Sequence, residues 1–468
     1  YEIRLSLVGS EMCIRDRGTL RVVHARTWFP RSLLHRFHLP MAILQQLSLI
    51  VQEALAIYGA ALAKSWPMVY RALSSVPPHE APDIYIVDQL SVGVPLLRLV
   101  CGRRVLFYCH FPDKEISMSL ANQRGAGRSM LRRMYRWPLD MLEELTTACA
   151  DALVANSHFT AGHFHRVFPH IHRVPHVVYP GVDEEAYEPA RVSAAVAQYE
   201  REACGSDGRL LPAHEATRLV LHERSRPTFL SINRFEAKKN VALAVDAFAR
   251  VRSETADTSL RLIVAGGFDS RIRDNVETLA ALETQAERLS LPHVTIWSRP
   301  AKNELPPPRE LIERAAVVFF PSFPGPLLHA LMLTPSTRAL LYTPTNEHFG
   351  IVPLEAMACG RPVVATSTGG PLETVVDAAV DAAGKPQATD ATGFLLPPDA
   401  AQWAQACRTI LEWDDATVAR IGAAARARVT QHFSVRAMRA GFEREVQSLD
   451  GVVPLRERVQ LGALLLCM

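Results

Sequence analysis

The chain has 468 residues, 48% hydrophobic and 21% charged, which is enough for two hydrophobic cores of ordinary size. Its 51 Lys and Arg against 48 Asp and Glu leave a net charge of +3, which excludes a nucleic-acid binder that works by bulk charge. The eight cysteines (13, 101, 109, 149, 204, 359, 407, 467) show no CxxC pairing and several lie in apolar runs, so buried, reduced thiols are expected rather than disulfides or zinc. The sequence carries no Asn-x-Ser/Thr sequon and no secretory signal, which suits a catalytic body facing the cytosol.

The first seventeen residues, YEIRLSLVGSEMCIRDR, connect to no later pattern. They resemble a translated library adaptor and are expected to lie outside the fold. Residues 41–63 are apolar but interrupted by Gln45, Gln46, Gln52 and Glu53. The length would span a bilayer, yet the polar interruptions favour a buried or interfacial helix. Asp83–Val87 and Arg104–Cys109 read as strands, the second running into His110-Phe111-Pro112-Asp113-Lys114. His110 stands at a strand's C-terminal edge, where open α/β sheets place ligands; a satisfied core histidine is the alternative.

Next, Arg124, Arg128, Arg132, Arg133 and Arg136 form a basic face interleaved with Met130, Leu131, Met134, Tyr135 and Trp137. This is either a solvated helix face or a contact for an anionic bilayer surface or lipid-linked pyrophosphate, each basic residue contributing about 1 kcal/mol there. Ala152–Asn156 is a third strand, with Ser157 or Thr160 capping the next helix. Six histidines (158, 163, 165, 170, 172, 176) crowd the following stretch, but their spacing matches no helix-face pair and no carboxylate falls among them, which disfavours a metal site. VVYPGVD (177–183) reads as the end of the first domain, and the polar residues 190–226 as a linker-rich insertion.

Thr228–Arg234 opens the second domain as a strand and runs into FEAKKN; Val241–Val251 has helical periodicity, and 260–267 and 294–297 add strands. Strands alternating with helices predict a parallel, doubly wound sheet. Residues 317–337 read as an insertion, an extra strand and loop before the strand at Arg338–Thr343. Then comes EHFGIVPLEAMACGRPVVAT (347–366). Pro353 suits the first helical turn, Gly360 the helix end, and Pro362–Thr366 a buried strand. Glu347 thus sits on the strand-to-helix loop and Glu355 within the first turns, with amides between them aimed beyond the helix N-terminus. Such an arrangement binds an anion with its backbone and hydroxyls with its carboxylates, and a sugar nucleotide offers both. Helices are predicted at 400–413, 416–431 and 433–449.

Glu347-x7-Glu355 in that string, with Arg234-x4-Lys239 after the second domain's first strand, resembles the retaining glycosyltransferases of family 4. The resemblance implies an α/β GT-B fold, two Rossmann-like doubly wound parallel-sheet domains facing a cleft. It implies that Arg234 and Lys239 clamp the donor diphosphate and neutralise the leaving nucleotide in place of a metal. The absence of any Asp-x-Asp motif agrees with that chemistry. Glu347 would hold the hexose and Glu355 the ribose, while the amides of Phe349, Gly350 and Ile351 face the diphosphate. His110 would lie near the anomeric carbon. Gly369-Gly370 would give a second close approach to the donor.

Within that family, CHFPDK (109–114), RRMYRWPLDMLEELTT (132–147), LSINRFEAKKN (230–240), LIVAGGFD (262–269) and LYTPTNEHFGIVPLEAM (341–357) are similar to mannosyltransferases of dolichol-linked oligosaccharide assembly. This implies no cofactor, with GDP-mannose as donor substrate and mannosyl-chitobiosyl-diphosphodolichol as acceptor. It also implies one alpha-1,3 and one alpha-1,6 transfer at the cytosolic face of the endoplasmic reticulum membrane, with other enzymes of the pathway as possible partners. The expected division is 1–17 non-native, 18–215 an acceptor-side domain lacking its front, 216–432 a donor-nucleotide domain, 433–450 a helix returning to the first domain, and 451–468 an apolar tail. Two rival readings are another family 4 enzyme with a different donor or lipid acceptor, and a non-catalytic GT-B scaffold subunit.

Overall fold

Short apolar runs flanked by turn residues become the buried strands of two parallel sheets, as expected where helices cover both faces. The computed structural model describes residues 4–6, 27–30, 38–80, 82–112, 114–115, 130–202, 212–297, 307–381 and 384–457. They form two compact units, residues 1–179 with 439–468, and residues 180–438.

The first unit holds β1 (Arg4–Ser6), β2 (Ile84–Asp88), β3 (Arg104–Cys109), β4 (Ala152–Ala155) and β5 (His176–Val177), hydrogen-bonded in that order. All pairings are parallel. β1 departs, for residues 4–6, from the expectation that 1–17 lie outside the fold; the rest of 1–17 lies outside the described residues. Its pairing with Tyr85–Val87 uses backbone groups, and an unpaired sheet edge accepts a strand without demanding a particular sequence. The core of this unit gathers Tyr85, Val87, Val105, Phe107 and Phe164.

The apolar stretch near the front forms helices His38–Tyr58 and Ala60–Ser65, broken at Gly59. Residues Leu39–Tyr58 are long and apolar enough to cross a membrane. The polar interruptions, however, are satisfied inside the unit. Gln46 donates to Leu90 O (2.5 Å) and accepts from Gly93 N (3.0 Å). Gln52 accepts from Ser75, and Glu53 accepts from the Tyr85 hydroxyl at 2.8 Å. A helix whose glutamines and glutamate meet protein partners is a packed surface helix, and Ile50 points into the core.

The second unit holds β6 (Thr228–Ile232), β7 (Arg261–Gly266), β8 (His293–Thr295), β9 (Val317–Pro321), β10 (Thr337–Tyr342), β11 (Val363–Thr366) and β12 (Gly393–Leu396). The order β12-β11-β10-β6-β7-β9-β8 reverses at β6, the doubly wound pattern. Residues 317–337 are therefore no insertion. β9 pairs on both sides, with β7 and with β8, and its Val-Val-Phe-Phe run is buried on both faces. Helix Gly325–Leu333 follows it.

Nor are the described residues of 190–226 linker-rich. They form helices Pro189–Glu202 and Pro212–Leu221, which pack against Gly325–Leu333, and Val192, Val220, Leu327 and Leu331 on these helices are buried. That packing draws 180–215 into the second unit, so the division falls at Tyr179–Pro180 and not near 215.

The two ends of the second unit are stitched together. Val182 N donates to Phe433 O (2.7 Å), and Val435 N donates to Val182 O (3.1 Å). Gly181 leaves no room for a side chain, since a Cβ there would come 2.7 Å from Val435 Cα. The last helix, Val435–Ser448, counts with the first unit from Arg439 on.

Candidate active site

β6 and β10 are neighbours, so the loops after them leave the sheet side by side. After β6 the chain passes Asn233 and Arg234 into a 3-10 turn, Ala237–Lys239, closed by left-handed Asn240 (φ 48°). The Thr343 hydroxyl, just past β10, donates to Lys239 O at 2.6 Å and pins this turn. Lys239 Nζ then lies 2.5 Å from Glu347 Oε2, with the two side chains 15% and 22% exposed. Sparse hydration at that depth strengthens the pair and fixes both groups.

Tyr342, the last residue of β10, holds Glu347 from below. Its side chain is buried and hydrogen-bonded to Glu347. Burial, then the charge and hydrogen bond of Glu347, then the charge of Glu355, push the phenol far above its ordinary pKa, so it stays a donor. No sequence signal distinguished this tyrosine from an ordinary strand residue.

Gly350 caps helix Ile351–Ala358 with φ 82° and ψ 87°, a left-handed conformation that suits glycine. A Cβ there would come 3.1 Å from the Tyr342 ring and hydroxyl. Pro353 sits in the first turn as expected, and the helix ends in a Schellman motif: Arg361 N donates to Ala356 O (2.9 Å) and Gly360 N to Met357 O (2.8 Å). The Phe349 ring is buried, its centroid 6.0 Å from that of Phe433, so only its backbone faces outward chemistry.

Gly369-Gly370 makes a close approach, but to the protein's own backbone. Gly370 N donates to Glu347 O at 2.7 Å. A Cβ would come 2.4 Å from Glu347 O at Gly369 and 2.0 Å from Phe349 O at Gly370. The glycine pair thus lets this loop lie flat on residues 347–349 and sets their path.

Glu355 is mostly buried, one turn further along the helix. Tyr187 donates its hydroxyl to Glu355 Oε1 at 3.0 Å from the 3-10 turn Glu184–Tyr187. Burial pushes the carboxyl above the usual carboxylate range, and the Tyr187 bond opposes this in part. The Tyr187 ring packs on His329, centroids 4.3 Å apart, and His329 hydrogen-bonds Ala186 in the same turn. Burial lowers the His329 pKa, so the imidazole stays neutral at neutral pH.

Arg234 is not drawn into this pair. Its guanidinium is 73% exposed and lies 3.7 Å from Glu236. His110 belongs to the first unit, one residue beyond β3. Its Nε2 lies 2.8 Å from Asp88 Oδ1, with the Tyr108 ring edge-on at 4.9 Å.

The basic helix, Met130–Ala148, leaves Met134, Tyr135, Trp137 and Leu145 exposed, while Arg136 pairs with Asp140 at 2.7 Å. Arg124 and Arg128 lie outside the described residues. Among the clustered histidines, His170 pairs with Glu144 and His176 with Glu445. No group of three metal-ligating side chains converges among the described residues. Cys101, Cys109, Cys149, Cys359 and Cys407 form no disulfide, and all but Cys149 are buried.

Two family models match the chain: "Glycosyltransferase Family 4" over residues 51–186 and "Glycosyl transferases group 1" over 218–428. Alpha-1,3/1,6-mannosyltransferase ALG2 of Rhizomucor pusillus is 36% identical over 400 residues, covering 84% of this chain and 72% of that protein. The protein of the same name from Saccharomyces cerevisiae is 34% identical, covering 92% of this chain and 75% of its own length. Among solved structures, Anabaena HepE in complex with UDP is similar with a TM-score of 0.51 at 19% identity, covering 78% of this chain and 79% of its own. A trehalose 6-phosphate synthase from Burkholderia multivorans gives a TM-score of 0.53 at 16% identity, with 83% and 75% covered. At these identities the structures speak for the fold alone.

Proposed function

The chain belongs to the alpha-1,3/1,6-mannosyltransferases, glycosyltransferases of the GT-B fold, and from that premise we propose that GDP-mannose is its donor and a dolichol-diphosphate-linked oligosaccharide carrying one mannose its acceptor. Two mannoses are added in turn, one alpha-1,3 and one alpha-1,6, at the cytosolic face of the endoplasmic reticulum membrane. The observation that carries the reading is the Lys239–Glu347 pair beside the N-terminus of helix 351–358. Cationic and amide groups there meet a diphosphate, while carboxylates set beside them meet sugar hydroxyls.

In this mechanism the bond between mannose C1 and the β-phosphate oxygen breaks as the acceptor hydroxyl oxygen bonds to C1 on the same face. The acceptor proton passes to the departing phosphate oxygen, and GDP leaves. Lys239, Arg234 and the amides of Phe349, Gly350 and Ile351 take up the negative charge released on the leaving group, so the step proceeds without a metal. Glu347 orients the hexose, Glu355 the ribose, and His110 the sugar near its reacting carbon. The exposed aromatic and apolar residues of helix 130–148 suit a membrane-surface setting for the lipid acceptor.

The test is transfer of radiolabelled mannose from GDP-mannose to a synthetic lipid-linked acceptor bearing one mannose. The expected product carries two further mannoses. Transfer only from UDP-GlcNAc would replace the reading with that of a neighbouring enzyme, and no GDP binding by calorimetry would favour a scaffold.

A further inference from the structure

Glu355 is the more buried of the two site carboxylates, and a buried carboxylate needs partners that fix it. Its partner comes from far along the chain, since Tyr187 precedes it by 168 residues. Tyr187 has little freedom of its own. The residue is 8% exposed and its ring packs on His329. His329 in turn hydrogen-bonds Ala186, so ring and turn are gripped from one side. Asp183 caps that turn by accepting from Glu185 N, and Val182 anchors it to residues 433–435.

Such a stack does more than fill space, because it delivers one hydroxyl to one carboxylate oxygen. With Oε1 accepting from Tyr187, the second oxygen remains the acceptor for an incoming hydroxyl.

We propose that Tyr187, braced by His329, is a positioning residue that aims Glu355 at the ribose diol of the donor nucleotide. It sets affinity for the nucleotide through the ribose alone. The inference rests on the assignment of Glu355 to the ribose made above. It assigns a donor-site role to the turn Glu184–Tyr187 and, through His329, to the 317–337 stretch.

The experiment is calorimetry of GDP and 2′,3′-dideoxy-GDP, and of UDP and 2′,3′-dideoxy-UDP, with wild type, Tyr187→Phe, Glu355→Ala and the double variant. Tyr187→Phe keeps the ring and its packing, so the fold is retained. It is expected to weaken the native diphosphate about tenfold, the size of one lost charge-assisted hydrogen bond, and to leave the dideoxy form unchanged. In the Glu355→Ala background the same change is expected to do nothing further. Equal weakening of both forms, weakening of neither, or a full effect in the Glu355→Ala background would overturn the positioning role. Wild type binding UDP but not GDP would overturn the donor assignment while the uridine pair still decided the role of Tyr187. Binding of no diphosphate would overturn both.

Discussion

Lys239 and Glu347, 108 residues apart, meet at 2.5 Å because the loops carrying them leave neighbouring strands of one sheet. Lys239→Ala removes the cation proposed to face the leaving nucleotide. Mannose transfer from GDP-mannose is expected to fall more than about a hundredfold, the cost of losing one such transition-state group. Near-wild-type turnover in the radiolabel assay would remove Lys239 from the mechanism. Glu347 keeps its bond to Tyr342, so the thermal midpoint should move little.

If side chains and helix amides neutralise the leaving nucleotide as proposed, no divalent ion is needed. Initial rates are expected to be the same with and without a millimolar excess of EDTA. A loss of activity that added magnesium or manganese restores would show that the clamp does not suffice.

Gly350→Ala puts a side chain at φ 82° and 3.1 Å from Tyr342. The left-handed conformation alone costs about 1–2 kcal/mol, and the tyrosine that must give way is the one holding Glu347. Urea unfolding should show a loss of that order, with weaker GDP binding. Gly370→Ala should cost more, since its Cβ would meet the Phe349 carbonyl at 2.0 Å and backbone cannot step aside cheaply.

Glu355 gives a pH signature. Its folded-state pKa is raised by burial, so the native carboxyl keeps its proton into a range where the unfolded one has lost it. Stability therefore declines as pH rises from the ordinary glutamate range through the folded value. Glu355→Gln cannot ionise and is expected to be more stable than wild type at neutral pH, the advantage vanishing as pH falls toward about 4. Thermal midpoints of the two proteins across that range check it. A Gln variant less stable at neutral pH would contradict it.

Leu331 is 2% exposed on the helix that meets helices 189–202 and 212–221. Leu331→Ala is expected to cost about 2–5 kcal/mol, as for other buried leucines. A loss below about 1 kcal/mol would mean that these helices are peripheral additions.

Much of this was legible in the chain, for local reasons. Arg104–Cys109 is a strand at its expected bounds, Ser157 caps its helix by accepting from Thr160 N, and Gly360 ends helix 351–358. Each depends on chemistry within a few residues. The stretch 190–226 reads as a linker because charged and polar residues punctuate it throughout, although Pro189 and Pro212 open helices and Val192 and Val220 mark buried faces. The run at 317–321 was seen as a strand, but nothing local reveals that β7 and β8 flank it. Tyr342 and Tyr187 were missed for a similar reason, since each is defined by a carboxylate that only the folded sheet brings near.

The backbone bonds joining Val182 to Phe433 and Val435 close residues 180–438 into a single loop of chain with one entrance and one exit. A segment of that kind behaves as a cassette. Homologous stretches could be exchanged at those two points without cutting either sheet, and a change of nucleotide preference could be transplanted in one piece, with Tyr187 and His329 travelling alongside the glutamate they support.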